Sequence, residues 1–188
     1  MKFNYNPKMN VEMYDRYEAE LFSQLFKCCR SRGWLPERFP ESEDINGKWN
    51  DISAEFIQDA VREFNSYPLA TLAWSAYIGA AVAKWWDKDW DVNSLRCYSS
   101  LLGEHGFDDM DEHILQDILC YKLDSADAER LHSVFNTCAS EADALLRRSG
   151  AEAGTADAFY VFVRTLRVMY RIGAAVQLSS MGYSLQKL

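Results

Sequence analysis

The sequence lacks the short motifs that mark many reaction centres. It contains no C-x-x-C pair, no G-x-S-x-G turn, no phosphate-binding P-loop and no G-x-G-x-x-G fingerprint. Each of those patterns holds a thiol, a hydroxyl or a row of backbone N–H groups where its chemistry needs them. Their absence removes the usual sequence evidence for a dithiol redox enzyme, an α/β-hydrolase or a nucleotide-binding fold.

Signals of disulfide bonding and secretion are also missing. The cysteines number five, which is odd, and they lie in helix-like runs. Secreted domains held by disulfides carry an even number of cysteines instead. The first ten residues are polar and lack the apolar segment of a signal peptide. We therefore expect a cytoplasmic protein with reduced, mostly buried thiols. The cysteines are Cys28, Cys29, Cys97, Cys120 and Cys138.

The chain has neither a long apolar run nor an excess of basic residues. The uncharged run Tyr67 to Ala83 contains Pro68 and falls short of the about 20 apolar residues that a membrane span needs. The formal net charge is −8, so the surface repels free nucleic acid and anionic lipid. We expect neither a nucleic acid nor a membrane as a partner.

Helical periodicity is the dominant pattern of the chain. Seven segments place apolar residues at steps of three and four, and no segment shows the alternation of a strand. The pattern predicts an all-α protein, a single-domain helical bundle of six to seven helices over residues 1–188. The predicted helices are Val11–Arg30, Ile52–Phe64, Pro68–Trp86, Val92–Leu102, Asp109–Leu123, Ala126–Arg148 and Ala156–Leu178.

Loop signals predict a long connection between the first two helices, over residues 33–50. Pro36, Pro40 and Gly47 interrupt it, and its large apolar residues suit a cover over one end of the core. Asp51 is the expected N-cap of the next helix. The tail 183–188 is expected to fray. The expected buried face of the second helix consists of Phe56, Ile57, Ala60, Val61 and Phe64.

The third helix, Pro68 to Trp86, is apolar nearly all round, which predicts a central position. Four alanines fall in one narrow arc of it, and Gly79 lies beside them. A strip of small residues lets another helix approach closely. We expect the first or the seventh helix to pack there. The alanines are Ala73, Ala76, Ala80 and Ala83.

Tryptophans are concentrated in one part of the chain, between Trp34 and Trp90. One hypothesis is an aromatic pocket for an apolar ligand or a partner peptide. The other is an aromatic core, which we favour because aromatic residues at helical spacing more often form core than pocket. The candidate ligand-binding residues are Trp34, Trp49, Trp74, Tyr77, Trp85, Trp86 and Trp90.

Three arginines share one face of the seventh predicted helix: Arg164, Arg167 and Arg171. They lie in a segment with no Asp or Glu from Ala158 onward. They are a candidate anion site, because guanidinium groups bind phosphate and carboxylate well. The alternative, which we favour, is pairing with carboxylates on neighbouring helices. Asp15, Glu18, Glu20, Asp59 and Glu63 are the expected partners.

Two weaker patterns involve histidine. Glu129-x-x-His132 has the spacing of one ligand pair in di-iron bundles, but the second such pair is missing. Asp109 and His113 share a helix face and would suit a metal or acid–base site. Helix capping explains the acidic cluster better, which consists of Asp108, Asp109, Asp111 and Glu112. We expect no bound metal and no other cofactor.

These patterns favour a non-enzymatic helical binding protein that acts on a protein partner or on its own copy. Two alternatives stay open at this point. One is a metal-dependent or acid–base enzyme built on Glu129, His132, Asp109 and His113. The other is a bundle that carries an apolar ligand in a tryptophan-lined pocket.

Overall fold

A computed structural model describes residues 7–184, with side chains from Asn10 onward. Within that range the chain forms six α-helices and no strand, which confirms the predicted all-α, single-domain bundle. The helices are α1 (Pro7–Ser31), α2 (Glu43–Phe64), α3 (Pro68–Asn93), α4 (Met110–His113), α5 (Ala126–Arg148) and α6 (Ala156–Ser180).

The centre of the fold is the contact between α3 and α6. Every residue of α3 from Thr71 to Ala83 is buried, as its apolar composition predicted. A methyl group at Gly79 would overlap the carbonyl oxygen of Tyr170, and one at Gly173 would overlap that of Ala76. The two backbones therefore touch. This contact confirms the close approach expected at the small-residue strip. The partner is α6, which corresponds to the seventh predicted helix, one of the two that we expected there.

The other long helices surround this pair. Helix α1 packs on α5 and α6, and α2 packs on α3 and α6. A buried hydrogen bond ties α2 to this centre, because the Tyr170 hydroxyl donates to the Ile45 carbonyl oxygen at 2.6 Å. Within the central pair, the Ser75 hydroxyl of α3 donates to the Leu166 carbonyl oxygen of α6, also at 2.6 Å. None of the helices in residues 7–184 combines the length and the apolarity needed to cross a membrane.

Only the first part of the predicted connection 33–50 is a loop, because its second part belongs to α2. Helix α2 begins at Glu43 rather than at Ile52, so Gly47 lies inside a helix. Ile45, Trp49 and Ile52 are buried at steps of four and three, and this burial outweighs the roughly 1 kcal/mol that a helical glycine costs. The predicted cap Asp51 lies within α2 and accepts a 3.0 Å hydrogen bond from the buried Lys48 ammonium.

The prediction of a separate helix over Val92–Leu102 is wrong. Helix α3 continues past Trp86 to Asn93 through one non-helical residue, Asp89. The Asp89 carboxylate accepts a 3.2 Å hydrogen bond from the Val92 backbone N–H and so caps the last turn itself. Only a short 3-10 turn follows, over Tyr98–Leu101.

The predicted helix Asp109–Leu123 is shorter than expected. After α4 the chain forms one π-helical turn, Ile114–Ile118, and Cys120 adopts a left-handed φ of 61° that ends the helical path. The Asp109 carboxylate does not cap α4 but accepts 3.1 Å hydrogen bonds from the His105 backbone N–H. In the predicted tail, Tyr183 packs on Trp86, and residues 185–188 lie outside the described range.

Candidate interaction groove

An open apolar groove lies where the end of α2 meets the α5–α6 connection. Its volume is about 490 Å³. The groove is lined by Val61, Phe64, Asn65, Asp143, Leu146, Arg147, Ser149, Ala151, Ala153, Gly154, Thr155, Ala158, Phe159 and Phe162. Most of this lining is apolar or small, which suits the burial of an apolar side chain from a partner.

A second depression continues the groove along the outer face of α2. It has a volume of about 670 Å³ and shares Val61 and Phe159 with the first. The α2 residues that line the two depressions run from Ala54 to Phe64. At about 1.5 Å per residue that stretch is about 16 Å long, or three helical turns. The combined surface is a trough, not a closed ligand cavity.

Large apolar side chains are exposed at this trough. Val61 and Phe159 are each 44% exposed, and the adjacent Tyr160 is 48% exposed. The sequence had predicted Val61 on the buried face of α2, together with Ile57 and Phe64. In the structure Phe56 and Ala60 take the core side, while Ile57 and Phe64 are only partly buried. An apolar patch of several exposed large side chains is typical of an interaction site.

Two glycines and a helix cap shape the wall of the groove between α5 and α6. Gly150 and Gly154 have φ angles of 76° and 81°, a left-handed conformation that lets the chain leave α5 and turn toward α6. The Thr155 hydroxyl then caps α6 by accepting a 3.2 Å hydrogen bond from the Ala158 backbone N–H. These features hold the start of α6, and therefore Phe159, against the end of α2.

One polar group of the groove has spare hydrogen-bonding capacity. Asp143 accepts a 2.7 Å hydrogen bond from Arg147 Nε, and this contact raises the pKa of the Arg147 guanidinium. The other carboxylate oxygen of Asp143, Oδ1, is shielded from solvent and accepts no hydrogen bond. A buried carboxylate oxygen without a donor is unfavourable, so this oxygen is a local cost to the stability of the fold.

The tryptophan rings of residues 7–184 lie in different environments. Trp49, Trp74 and Trp85 are buried in the core, whereas Trp34, Trp86 and Trp90 are half-buried against it. Within residues 7–184 no two tryptophan rings contact each other. Their neighbours differ instead: the Trp49 ring meets that of Tyr170 at a centroid distance of 5.1 Å, and the Trp74 ring meets that of Phe107 at 4.1 Å.

All three arginines of the predicted anion site have carboxylate neighbours. Arg164 contacts Asp15 at 3.0 Å and also pairs with Glu18, whose other oxygen lies 3.8 Å from Arg167. Two of the five expected partners are therefore confirmed. Glu41, which the sequence did not indicate, is the partner of Arg171, and its oxygen lies 3.2 Å from the guanidinium.

Arg167 and Arg171 also line a small polar pocket of about 380 Å³, together with Glu41, Glu43, Asn46, Trp49 and Tyr170. The Arg171 guanidinium lies 4.4 Å from the centre of the Phe22 ring, which fixes it in place. Two glutamates against two arginines leave the pocket without a net positive charge. Anion binding by the three arginines stays a prediction.

The residues of the enzyme hypothesis are engaged in separate local contacts. His132 bonds through Nδ1 to the Tyr77 hydroxyl, while Glu129 is exposed. His113 Nδ1 lies 2.7 Å from the Asp117 carboxylate, and Asp109 contacts His105. Among the described residues no three His, Cys, Asp or Glu side chains are grouped as metal ligands would be. Burial raises the pKa of Tyr77, so its hydroxyl stays protonated.

The groove is the feature that sequence reasoning missed. A signal was present in α2, whose apolar positions span a wider arc than its core contact covers, but periodicity alone does not say which edge of that arc stays exposed.

Comparison of the chain with family models, with curated proteins and with solved structures finds no match.

Proposed function

We propose that this chain is a non-enzymatic binding protein that holds an amphipathic helix of a partner protein in the groove between α2 and the α5–α6 connection. The observation that carries the proposal is the pair of exposed apolar side chains in that groove, Val61 and Phe159, beside the partly buried Ile57 and Phe64. Exposed apolar area of this kind is covered when a partner binds, and its removal from water drives association.

The surrounding backbone favours a helix as the occupant. The groove walls on α2, α5 and α6 are helical, so their backbone N–H and C=O groups are already paired. A partner strand would find no strand edge to extend in residues 7–184, whereas an amphipathic helix needs only side-chain contacts. The length of about 16 Å suits three turns of such a helix, with apolar residues at steps of three and four.

Charge favours a basic partner. The chain carries a net charge of −8, which attracts positively charged surfaces and raises their association rate. Lysine or arginine beside the apolar stripe of the partner helix would serve this long-range attraction.

Peptide selection with the purified full chain tests the proposal. The probe is a displayed library of peptides long enough for three to four helical turns. We expect enrichment of sequences with an apolar stripe and flanking lysine or arginine. The Val61→Asp/Phe159→Asp double variant should bind the selected peptides at least tenfold more weakly, a loss of about 1.4 kcal/mol or more. Leu95→Asp is the matched control, because Leu95 is 85% exposed and lies outside the groove lining.

Three results would contradict the proposal. One is a library without enrichment, and another is a set of selected peptides that bind the double variant as tightly as the unmodified chain. The third comes from sedimentation at several concentrations. If the chain forms a dimer that the double variant abolishes, then the groove is covered by a second copy and not by a partner helix.

A further inference from the structure

Two cysteines from distant parts of the chain meet in the core. Cys29 lies near the end of α1 and Cys138 in the middle of α5, 109 positions further along the sequence. Their Sγ atoms are 3.4 Å apart, and both residues are fully buried. No spacing pattern in the sequence pairs them, because the five cysteines do not follow a disulfide framework.

The packing around the two thiols holds them in place. One to two turns away, Gln24 Nε2 donates a 2.8 Å hydrogen bond to Glu141 Oε2, which ties α1 to α5 a second time. The end of α1 is held by the Trp34 backbone N–H, which donates to the Cys29 carbonyl oxygen at 2.8 Å. A disulfide bond is about 2.05 Å long, so the sulfurs need to approach by only about 1.4 Å.

We propose that Cys29 and Cys138 form a redox modification site, at which a peroxide closes a disulfide bond between α1 and α5 inside the folded protein. The other cysteines have no such partner. Cys28 is half-buried, Cys97 and Cys120 are exposed, and no other pair of thiols is in contact among the described residues. The proposal does not depend on the function of the groove.

The geometry also assigns an order to the two sulfurs. The hydrogen bond with Cys138 lowers the pKa of Cys29, whereas the same bond and burial raise the pKa of Cys138. Cys29 lies two residues before the end of α1 at Ser31, whereas Cys138 lies in the middle of α5. Local opening of the last turn of α1 therefore exposes Cys29 first to a small oxidant, and its lowered pKa favours the thiolate that attacks.

The reaction balances with one peroxide. The Cys29 thiolate attacks a peroxide oxygen, the O–O bond breaks, and the departing hydroxide takes up a proton to become water. The resulting Cys29 sulfenic acid is then attacked by the Cys138 sulfur, which loses its proton. The S–O bond breaks and a second water leaves. Two thiols give up two electrons, and hydrogen peroxide is reduced to two waters.

The test uses the full chain with Cys28→Ser, Cys97→Ser and Cys120→Ser, so that only the proposed pair remains. The folded protein is treated with hydrogen peroxide, denatured, and alkylated with N-ethylmaleimide. We expect chains without adduct that gain two adducts when a reductant is added first. Tryptic digestion should join the fragment that ends at Arg30 to the fragment Leu131–Arg147 through their cysteines.

Thermal melting of the same oxidised sample separates a native disulfide from a damaging one. Closing a loop of this length raises stability, so the melting temperature should rise by about 5 °C or more. A variant that also carries Cys29→Ala should show no rise. The proposal is overturned if both thiols still react after peroxide treatment, if Cys29 or Cys138 is oxidised to sulfinic acid without cross-linking, or if the cross-linked protein melts at a lower temperature.

Discussion

The two ends of α6 are surrounded in opposite ways. From Val168 to Leu178 all but one of its residues are buried, and at Gly173 not even a methyl group fits against the α3 backbone. At the other end Phe159 and Tyr160 are about half exposed beside the groove. One helix therefore carries a backbone-to-backbone contact in its second half and part of an exposed apolar groove at its start. Apolar residues serve stability at one end, and we propose binding at the other.

Gly173→Ala should break the tight end with the largest effect. The new Cβ would overlap the Ala76 carbonyl oxygen, and backbone atoms cannot move aside as a flexible side chain can. We expect a loss of about 3 kcal/mol or more in the free energy of unfolding, measured by urea denaturation. Gly47→Ala is the matched control: it lies in α2 with open space around it, so it should raise stability by about 0.5–1 kcal/mol. A small loss at Gly173 would refute the backbone contact.

Ala76→Leu tests the α3 side of the same contact. Ala76 is fully buried beside Gly173, so a larger side chain has to displace its neighbours. The expected loss is about 1–3 kcal/mol, visible in a thermal or urea melt. Ala54→Leu adds the same atoms at an exposed position of the groove and should change stability by less than about 0.5 kcal/mol. Equal effects at both positions would remove the contrast between the two regions.

The contact between Tyr17 of α1 and Thr165 of α6 makes the stability of the fold depend on alkaline pH. Its hydroxyl donates to Thr165 Oγ1 at 2.7 Å, and burial raises its pKa to about 12. Above about pH 10 the unfolded chain ionises this tyrosine while the folded chain does not, so stability present below that pH is lost as pH rises. Between pH 8 and 11 the unmodified chain should lose about 1 kcal/mol more than Tyr17→Phe. Identical pH slopes in urea denaturation would contradict this.

The smallest expected effect belongs to the open end. Val61→Asp and Phe159→Asp should each change the free energy of unfolding by less than about 0.5 kcal/mol, because half-exposed side chains lose little burial. Combined in the double variant, the two substitutions should weaken binding of the selected peptides at least tenfold. If either variant unfolds the chain as Gly173→Ala does, the exposed side chains are structural and the proposed role of the groove fails.

Sequence patterns predicted most of the fold but little of the site. The periodicity of the segments that became α1, α3, α5 and α6 sufficed, because long amphipathic or wholly apolar helices leave a clear record. At α2 the glycine and proline residues led to a predicted loop, whereas the tertiary burial of Trp49 makes the segment from Glu43 onward helical. At Asp89 and Cys120, one side-chain cap and one left-handed residue ended or broke helices that periodicity would have continued.

By itself, the sequence determined the helical class, the central place of α3 and its close approach to a neighbouring helix. These follow from local spacing and from side-chain size, both of which are properties of the chain alone. Only the tertiary structure decided that Val61 and Phe159 face one groove, that Glu41 pairs with Arg171, and that Cys29 meets Cys138. Such meetings depend on how helices far apart in sequence rotate against one another, and the periodicity of a single helix does not encode that rotation.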